Sequence, residues 1–173
     1  AGMAIKETLK DPDETRKDTL FGRHHGLKQF MWLEGRPSYF TFTIVRNPWD
    51  RFVSAYFYLK AGGIKPGDEV SNQQYIKGRP FKEFVMCDEA IEKQQHFRSQ
   101  SSWIDGPIDF VGRMESLRED FAYICGRIGI PRRELPHTNK SSHKHYDEYY
   151  DDETRGVIAE KYAEDIERFG YKP

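Results

Sequence analysis

Residues 39–56 have the sequence YFTFTIVRNPWDRFVSAY, and they predict the first elements of the fold. Aromatic and β-branched residues fill its first part, Tyr39–Val45, and this composition is typical of a buried strand. Asn47 is a good N-cap and Pro48 suits the first helical position, so the sequence predicts a helix over residues 48–59. A buried strand, a tight turn and a helix therefore follow one another directly.

Apolar strands and helices continue to alternate along the chain. A polar excursion is expected over residues 64–75, followed by a helical stretch that starts at Pro80. The other expected elements are a strand over 108–111 closed by Gly112, a helix over 117–128 stopped by Gly129, and one helix over 152–169. This alternation favours an α/β fold with a mainly parallel sheet that helices flank, whose ligands bind beyond the carboxyl ends of the strands.

The composition indicates one folded domain over residues 1–173. Hydrophobic residues make up 37% and aromatic residues 14% of the 173 residues, which argues against disorder. With 27 Lys and Arg against 28 Asp and Glu, the formal net charge is −1, which argues against nonspecific nucleic-acid binding. Any anion site must therefore be local.

The cysteines and the hydropathy indicate neither a disulfide framework nor a membrane span. Cys87 and Cys125 lack metal-type spacing and are expected to be core thiols. No run approaches the roughly 18 apolar residues of a membrane helix. The expected location is the cytoplasm, with the Golgi lumen as the alternative if an upstream anchor has been removed.

The turn after the first strand has the composition of an anion site. Arg46 sits where the strand ends, and Arg51 and Ser54 lie in the first two turns of the helix. The free N–H groups and the positive dipole end of the helix are expected to face the same crevice. A guanidinium, a hydroxyl and a helix N-terminus would together suit a phosphate dianion.

This segment resembles the 3′-phosphate-binding signature of sulfotransferases that use 3′-phosphoadenosine 5′-phosphosulfate (PAPS), in particular the carbohydrate-type branch. In that family a strand-end Arg and a Ser eight residues later hold the 3′-phosphate, and Arg46 and Ser54 match them. The resemblance continues through residues 109–115 and 135–141 and reaches Tyr171. It implies a P-loop-like three-layer α/β fold, PAPS as sulfate donor, 3′,5′-ADP as product, and no metal.

The resemblance also assigns the remaining donor contacts. Ala1, Gly2 and Met3 look like the second half of the family's 5′-phosphosulfate loop, so we expect the chain to be a fragment of an active enzyme. The strand, Lys and Thr that begin this loop in the family would then precede the fragment. A late basic loop is expected to place Lys140 and Ser141 near the 3′-phosphate.

The acceptor hydroxyl needs a general base, and the resemblance points to His24 and His25. Histidine titrates near neutral pH, and Gly26 favours His25 because it allows an acceptor to approach closely. The candidate acceptor-binding residues are Lys28, His96, Arg98, Gln100 and Arg113. The alternatives are that Lys28 and the 96–100 cluster are ordinary surface residues, and that Arg113 pairs with Glu115.

Two other functions stay open on the sequence. A P-loop-type nucleotide kinase lacks support because the chain has no G-x-x-x-x-G-K-[ST] motif and no evident acidic pair for magnesium. A noncatalytic nucleotide-binding module would keep only the 3′-phosphate half of the site. His137, His143 and His145 complete no recognised metal spacing, so no metal is predicted. The expected partners are a nucleotide sulfate donor and a hydroxyl acceptor, with a saccharide favoured.

Overall fold

A computed structural model describes residues 40–63, 66–135 and 143–172. These residues are mixed α/β and rich in helix. They fall into two compact units, one of residues 40–45 and 102–135, the other of residues 46–63, 66–101 and 143–172. In chain order, the strands and α-helices of the described residues are β1 (Phe42–Val45), α1 (Pro48–Lys60), α2 (Pro66–Ser71), α3 (Phe81–Val85), α4 (Asp88–Glu92), β2 (Phe110–Arg113), α5 (Leu117–Ile128), α6 (Asp152–Lys161) and α7 (Ala163–Phe169).

The first unit contains a parallel pair of strands. β1 lies beside β2, with Phe42 opposite Phe110 and Val45 opposite Arg113. The parallel pairing agrees with the expected sheet, and within the described part of the chain this sheet has two strands. The larger three-layer arrangement stays a prediction.

A side-chain contact marks where the two strands begin. The backbone N–H and the hydroxyl of Thr41 both donate to the Asp109 carboxylate at 2.7 Å. These bonds lower the pKa of Asp109, since they stabilise its ionised form. Strand β2 starts after Asp109, two residues later than the predicted strand over 108–111, and it includes Gly112, which the sequence predicted would close it.

Helix α5 covers the strand pair and has the predicted bounds. Its buried Phe121 and Cys125 pack with Phe42 and Ile44 of β1. The helix ends at Gly129, whose φ of 76° is left-handed, as expected of a glycine that stops a helix.

The second unit is organised around α1. Asn47 caps this helix, and Trp49, Phe52 and Tyr56 on one of its faces are buried. They form a core with residues that come from distant parts of the chain, including Phe84, Phe97, Ile158 and Tyr162. The predicted helix is thus confirmed, one residue longer than expected at its end.

The helices differ from the expected ones in two places. The predicted polar excursion contains α2 and a π-helical turn, Asn72–Ile76, because Pro66 and the acidic residues after it suit a helix start. The predicted last helix is broken into α6 and α7 at Tyr162, whose φ and ψ are −113° and 27°. The Tyr162 ring is buried and its hydroxyl donates to the Phe97 carbonyl at 2.5 Å, a contact that no local pattern encodes.

None of the helices in the described residues has the length and apolar character needed to cross a membrane.

We predict that Gly112→Ala destabilises the first unit. An added Cβ would lie 2.6 Å from Ile44 Cδ1 and 3.1 Å from Phe110 Cε1, so the free energy of unfolding should fall by about 1–3 kcal/mol through overpacking. Gly126→Ala in α5 is the control, since its Cβ would meet nothing within 4 Å. Urea denaturation should show the control unchanged or more stable by about 0.5–1 kcal/mol, and equal losses in both variants would contradict this packing.

Candidate functional site

The first turn of α1 is closed by its own cap. The Asn47 side-chain oxygen accepts the N–H groups of Trp49 at 2.9 Å and Asp50 at 3.3 Å. The Arg51 N–H donates to the Asn47 carbonyl at 2.8 Å, and Pro48 has no N–H. The expectation that free N–H groups face an anion here was therefore wrong, because Asn47 engages them. The helix dipole and the side chains remain available to an anion.

Arg46 directs its guanidinium toward a carboxylate. Its Nε donates to Asp50 Oδ2 at 2.6 Å and its Nη2 to Oδ1 at 2.8 Å, a bidentate pair. The two side chains keep 27% and 23% of their surface exposed, so solvent and ligands can reach this pair. The fork of Arg46 is thus already oriented for an anion with two oxygens.

The Gln100 side chain forms hydrogen bonds with both backbone polar groups of Arg46. The Arg46 N–H donates to Gln100 Oε1 at 2.9 Å, and Gln100 Nε2 donates to the Arg46 carbonyl at 2.9 Å. A side-chain amide therefore pairs with this residue as a neighbouring strand would, immediately after β1 has ended.

Gln100 is itself held by a buried acid. Asp165 of α7 is 0% exposed, and its carboxylate accepts the Gln100 N–H at 2.8 Å and the Ser101 N–H at 2.7 Å. These two bonds meet the requirement that a buried polar group be hydrogen-bonded. Asp165 thereby fixes the backbone from which the Gln100 side chain reaches Arg46.

Arg51 holds the same segment from the side of α1. Its Nη2 donates to the carbonyls of His96 at 3.0 Å and Arg98 at 2.6 Å. Burial lowers the pKa of Arg51. The sequence placed Arg51 at a phosphate, and the structure places its Nη2 on these backbone carbonyls.

A polar face of α1 runs along this segment. Arg51, Ser54 and Tyr58 are spaced by three and four residues, so they share one side of the helix. The Tyr58 hydroxyl donates to Asp68 Oδ2 at 2.6 Å, and His96 Nε2 lies 3.1 Å from Asp68 Oδ1. Ser54 is partly buried. On this face of the helix it lies between Arg51, which contacts the His96 carbonyl, and Tyr58, which contacts Asp68.

The structure brings together groups that the sequence assigned to separate sites. His96, Arg98 and Gln100 were predicted to line an acceptor groove, while Arg46, Arg51 and Ser54 were assigned to the donor. The structure places His96, Arg98 and Gln100 on one segment of the second unit. Arg51 contacts the carbonyls of His96 and Arg98, and the Arg46 backbone contacts the Gln100 side chain. A role of His96, Arg98 and Gln100 toward an acceptor stays a prediction.

Sequence reasoning missed three carboxylates of this region, Asp50, Asp68 and Asp165. Asp50 could have been found, because it lies four residues after Arg46 and can pair with it on a helix. Asp68 lies 10 residues from Tyr58 and 28 from His96, and Asp165 lies 65 residues from Gln100, so no local pattern points to either acid.

Arg113 belongs to the first unit. Its side chain is exposed at the end of β2, and its N–H donates to Asp120 Oδ2 at 2.6 Å. The remaining predicted site residues lie outside the described residues: Ala1, Gly2, Met3, His24, His25, Lys28, Lys140 and Ser141. Within the described ranges, no three His, Cys, Asp or Glu side chains are grouped so that they could hold a metal ion.

Comparisons with known proteins point to one family. The sequence model of the sulfotransferase family matches residues 4–172. A curated relative, an uncharacterized protein of Archaeoglobus fulgidus, is 26% identical over 93 residues, which cover 54% of this chain and 70% of that protein. No solved structure matches the chain.

We predict that Asp165→Asn destabilises the second unit. The amide keeps one acceptor oxygen but opposes its NH2 group to the other backbone N–H, so a buried donor loses its partner. The free energy of unfolding should fall by about 1–3 kcal/mol, measured by urea denaturation. Glu164→Gln, an exposed neighbour on α7, should change it by less than about 0.5 kcal/mol, and equal effects would contradict the role assigned to Asp165.

Proposed function

The chain belongs to the sulfotransferase family, and we propose that it transfers a sulfuryl group from PAPS to an acceptor hydroxyl. The family match confirms the resemblance to sulfotransferases inferred from residues 42–58, and it indicates sulfuryl transfer in general. The choice of donor, acceptor and base is our proposal. The observation that carries it is the position of Arg46 directly after β1 and of Ser54 in the second turn of α1, within a family match that spans the turn.

In this proposal Arg46 and Ser54 bind the 3′-phosphate of the donor. The bidentate contact with Asp50 supports this role, because guanidinium groups bind carboxylates and phosphates with the same two-pronged geometry. A phosphate that reaches this fork must share it with Asp50 or replace Asp50. Lys140 and Ser141 would add a second cation and a hydroxyl, and residues 1–3 would face the 5′-phosphosulfate.

Arg51 has a different part in this arrangement. Its Nη2 already donates to two carbonyls, so we assign it to hold the 96–98 segment and to add positive potential near the phosphate. This assignment leaves Arg46 as the guanidinium that contacts the donor.

The proposed reaction is a direct in-line transfer. The acceptor oxygen forms a bond to sulfur while the bond between sulfur and the bridging phosphate oxygen breaks, and 3′,5′-ADP leaves. The acceptor proton passes to a histidine, His25 in our proposal and His24 as the alternative. The acceptor is proposed to be a saccharide, with Lys28, His96, Arg98 and Arg113 as candidate contacts for its polar or anionic groups.

We predict that Arg46→Ala weakens binding of 3′,5′-ADP by about 10- to 150-fold, the value of one hydrogen bond to a charged group. Isothermal calorimetry measures this loss directly. Arg118→Ala, an exposed arginine on α5, is the control and should keep the wild-type affinity. Unchanged affinity in the Arg46 variant would overturn the assignment of this turn.

A second experiment tests the base. His25→Ala should lower the rate of sulfuryl transfer by roughly 100-fold or more while it leaves 3′,5′-ADP affinity nearly unchanged, because a base acts on the acceptor proton. His24→Ala is the matched variant in the adjacent position. If His24→Ala abolishes transfer and His25→Ala does not, the base is His24. If wild-type protein binds the nucleotide without any transfer, the chain is a binding module.

A further inference from the structure

The side chain of Gln100 is placed to control where Arg46 lies. Both polar atoms of its amide bond to the backbone of Arg46, at 2.9 Å each. Since one bond needs a donor and the other an acceptor, the amide can satisfy both in only one orientation. These two hydrogen bonds therefore fix the position and the orientation of the Arg46 backbone.

The backbone that carries Gln100 is held on both sides. Asp165 accepts the N–H groups of Gln100 and Ser101 from one side, at 2.8 and 2.7 Å. From the other side, Arg51 donates to the carbonyls of His96 and Arg98. Displacement of this segment would break four hydrogen bonds, two of which end on a fully buried carboxylate.

The backbone and the guanidinium of Arg46 are thus held by different residues. Gln100 holds its backbone, and Asp50 holds its guanidinium through a bidentate pair. A guanidinium binds phosphate best when both N–H groups meet oxygens at hydrogen-bond distance, so a small shift of the backbone weakens the contact.

We propose that Gln100 is a positioning residue for the donor nucleotide: through the backbone of Arg46 it sets the guanidinium in place for the 3′-phosphate, and Asp165 holds it there. This inference rests on the proposed function, because it assumes that Arg46 binds that phosphate. Gln100 itself makes no contact with the nucleotide in this arrangement.

The test compares two ligands that differ only in the 3′-phosphate, 3′,5′-ADP and 5′-AMP. Gln100→Leu should weaken 3′,5′-ADP binding about ten-fold and leave 5′-AMP binding unchanged, so the ratio of the two affinities should fall. In the Arg46→Ala background, Gln100→Leu should have no further effect on this ratio. A merely structural role would change both affinities alike, or neither.

Two variants complete the design. Gln95→Leu removes an exposed glutamine from the same part of the chain and should keep the wild-type ratio. If Gln100→Leu does not fold, Gln100→Asn keeps the amide but is one methylene too short to reach Arg46, and the same fall in the ratio is expected.

The outcomes separate the two claims. A wild-type protein that prefers 3′,5′-ADP, together with Gln100 variants that keep the full preference, would overturn the positioning role and leave the proposed function standing. A wild-type protein with no preference for 3′,5′-ADP over 5′-AMP would overturn both. The inference predicts a wild-type preference for 3′,5′-ADP that falls about ten-fold in the Gln100 variants and stays unchanged in Gln95→Leu.

Discussion

The backbone of Arg46 leaves the sheet after Val45 and needs new partners for its N–H and carbonyl groups. Buried or partly buried backbone groups without partners cost free energy, so the fold must supply them. A single side chain, Gln100, supplies both at 2.9 Å. This pairing lets the chain pass from strand to helix with a charged residue held in place at the junction.

The pairing depends on residues from three distant parts of the chain. Asp165 holds the backbone of Gln100, and the break between α6 and α7 at Tyr162 precedes Asp165 by three residues. The Tyr162 hydroxyl bonds to the Phe97 carbonyl, so the same segment is fixed once more by a buried polar contact. The core of the second unit and its candidate anion site are therefore built from one set of interactions, and a change in the core is expected to alter the site.

Local chemistry explains which features could be predicted from the sequence. The strand, cap and helix around Asn47 were predictable because neighbouring residues determine them, and Gly129 marked the end of α5 for the same reason. The assignment of Arg46 and Ser54 to the 3′-phosphate comes from a spacing that resembles a known family, and it stays a prediction. The contacts of Gln100 were not predictable, because the residues it bonds to are 54 and 65 positions away and no periodic pattern links them.

The most direct measurement follows the arginine side chains by NMR while nucleotide is added. In the proposed site, Arg46 meets the 3′-phosphate of the donor. Titration with 3′,5′-ADP should therefore move the Nε–Hε resonance of Arg46, as a phosphate joins or replaces the Asp50 carboxylate beside it, and 5′-AMP should leave it in place. Saturable binding of 3′,5′-ADP with an unmoved Arg46 resonance, or equal movement with both nucleotides, would contradict the claim.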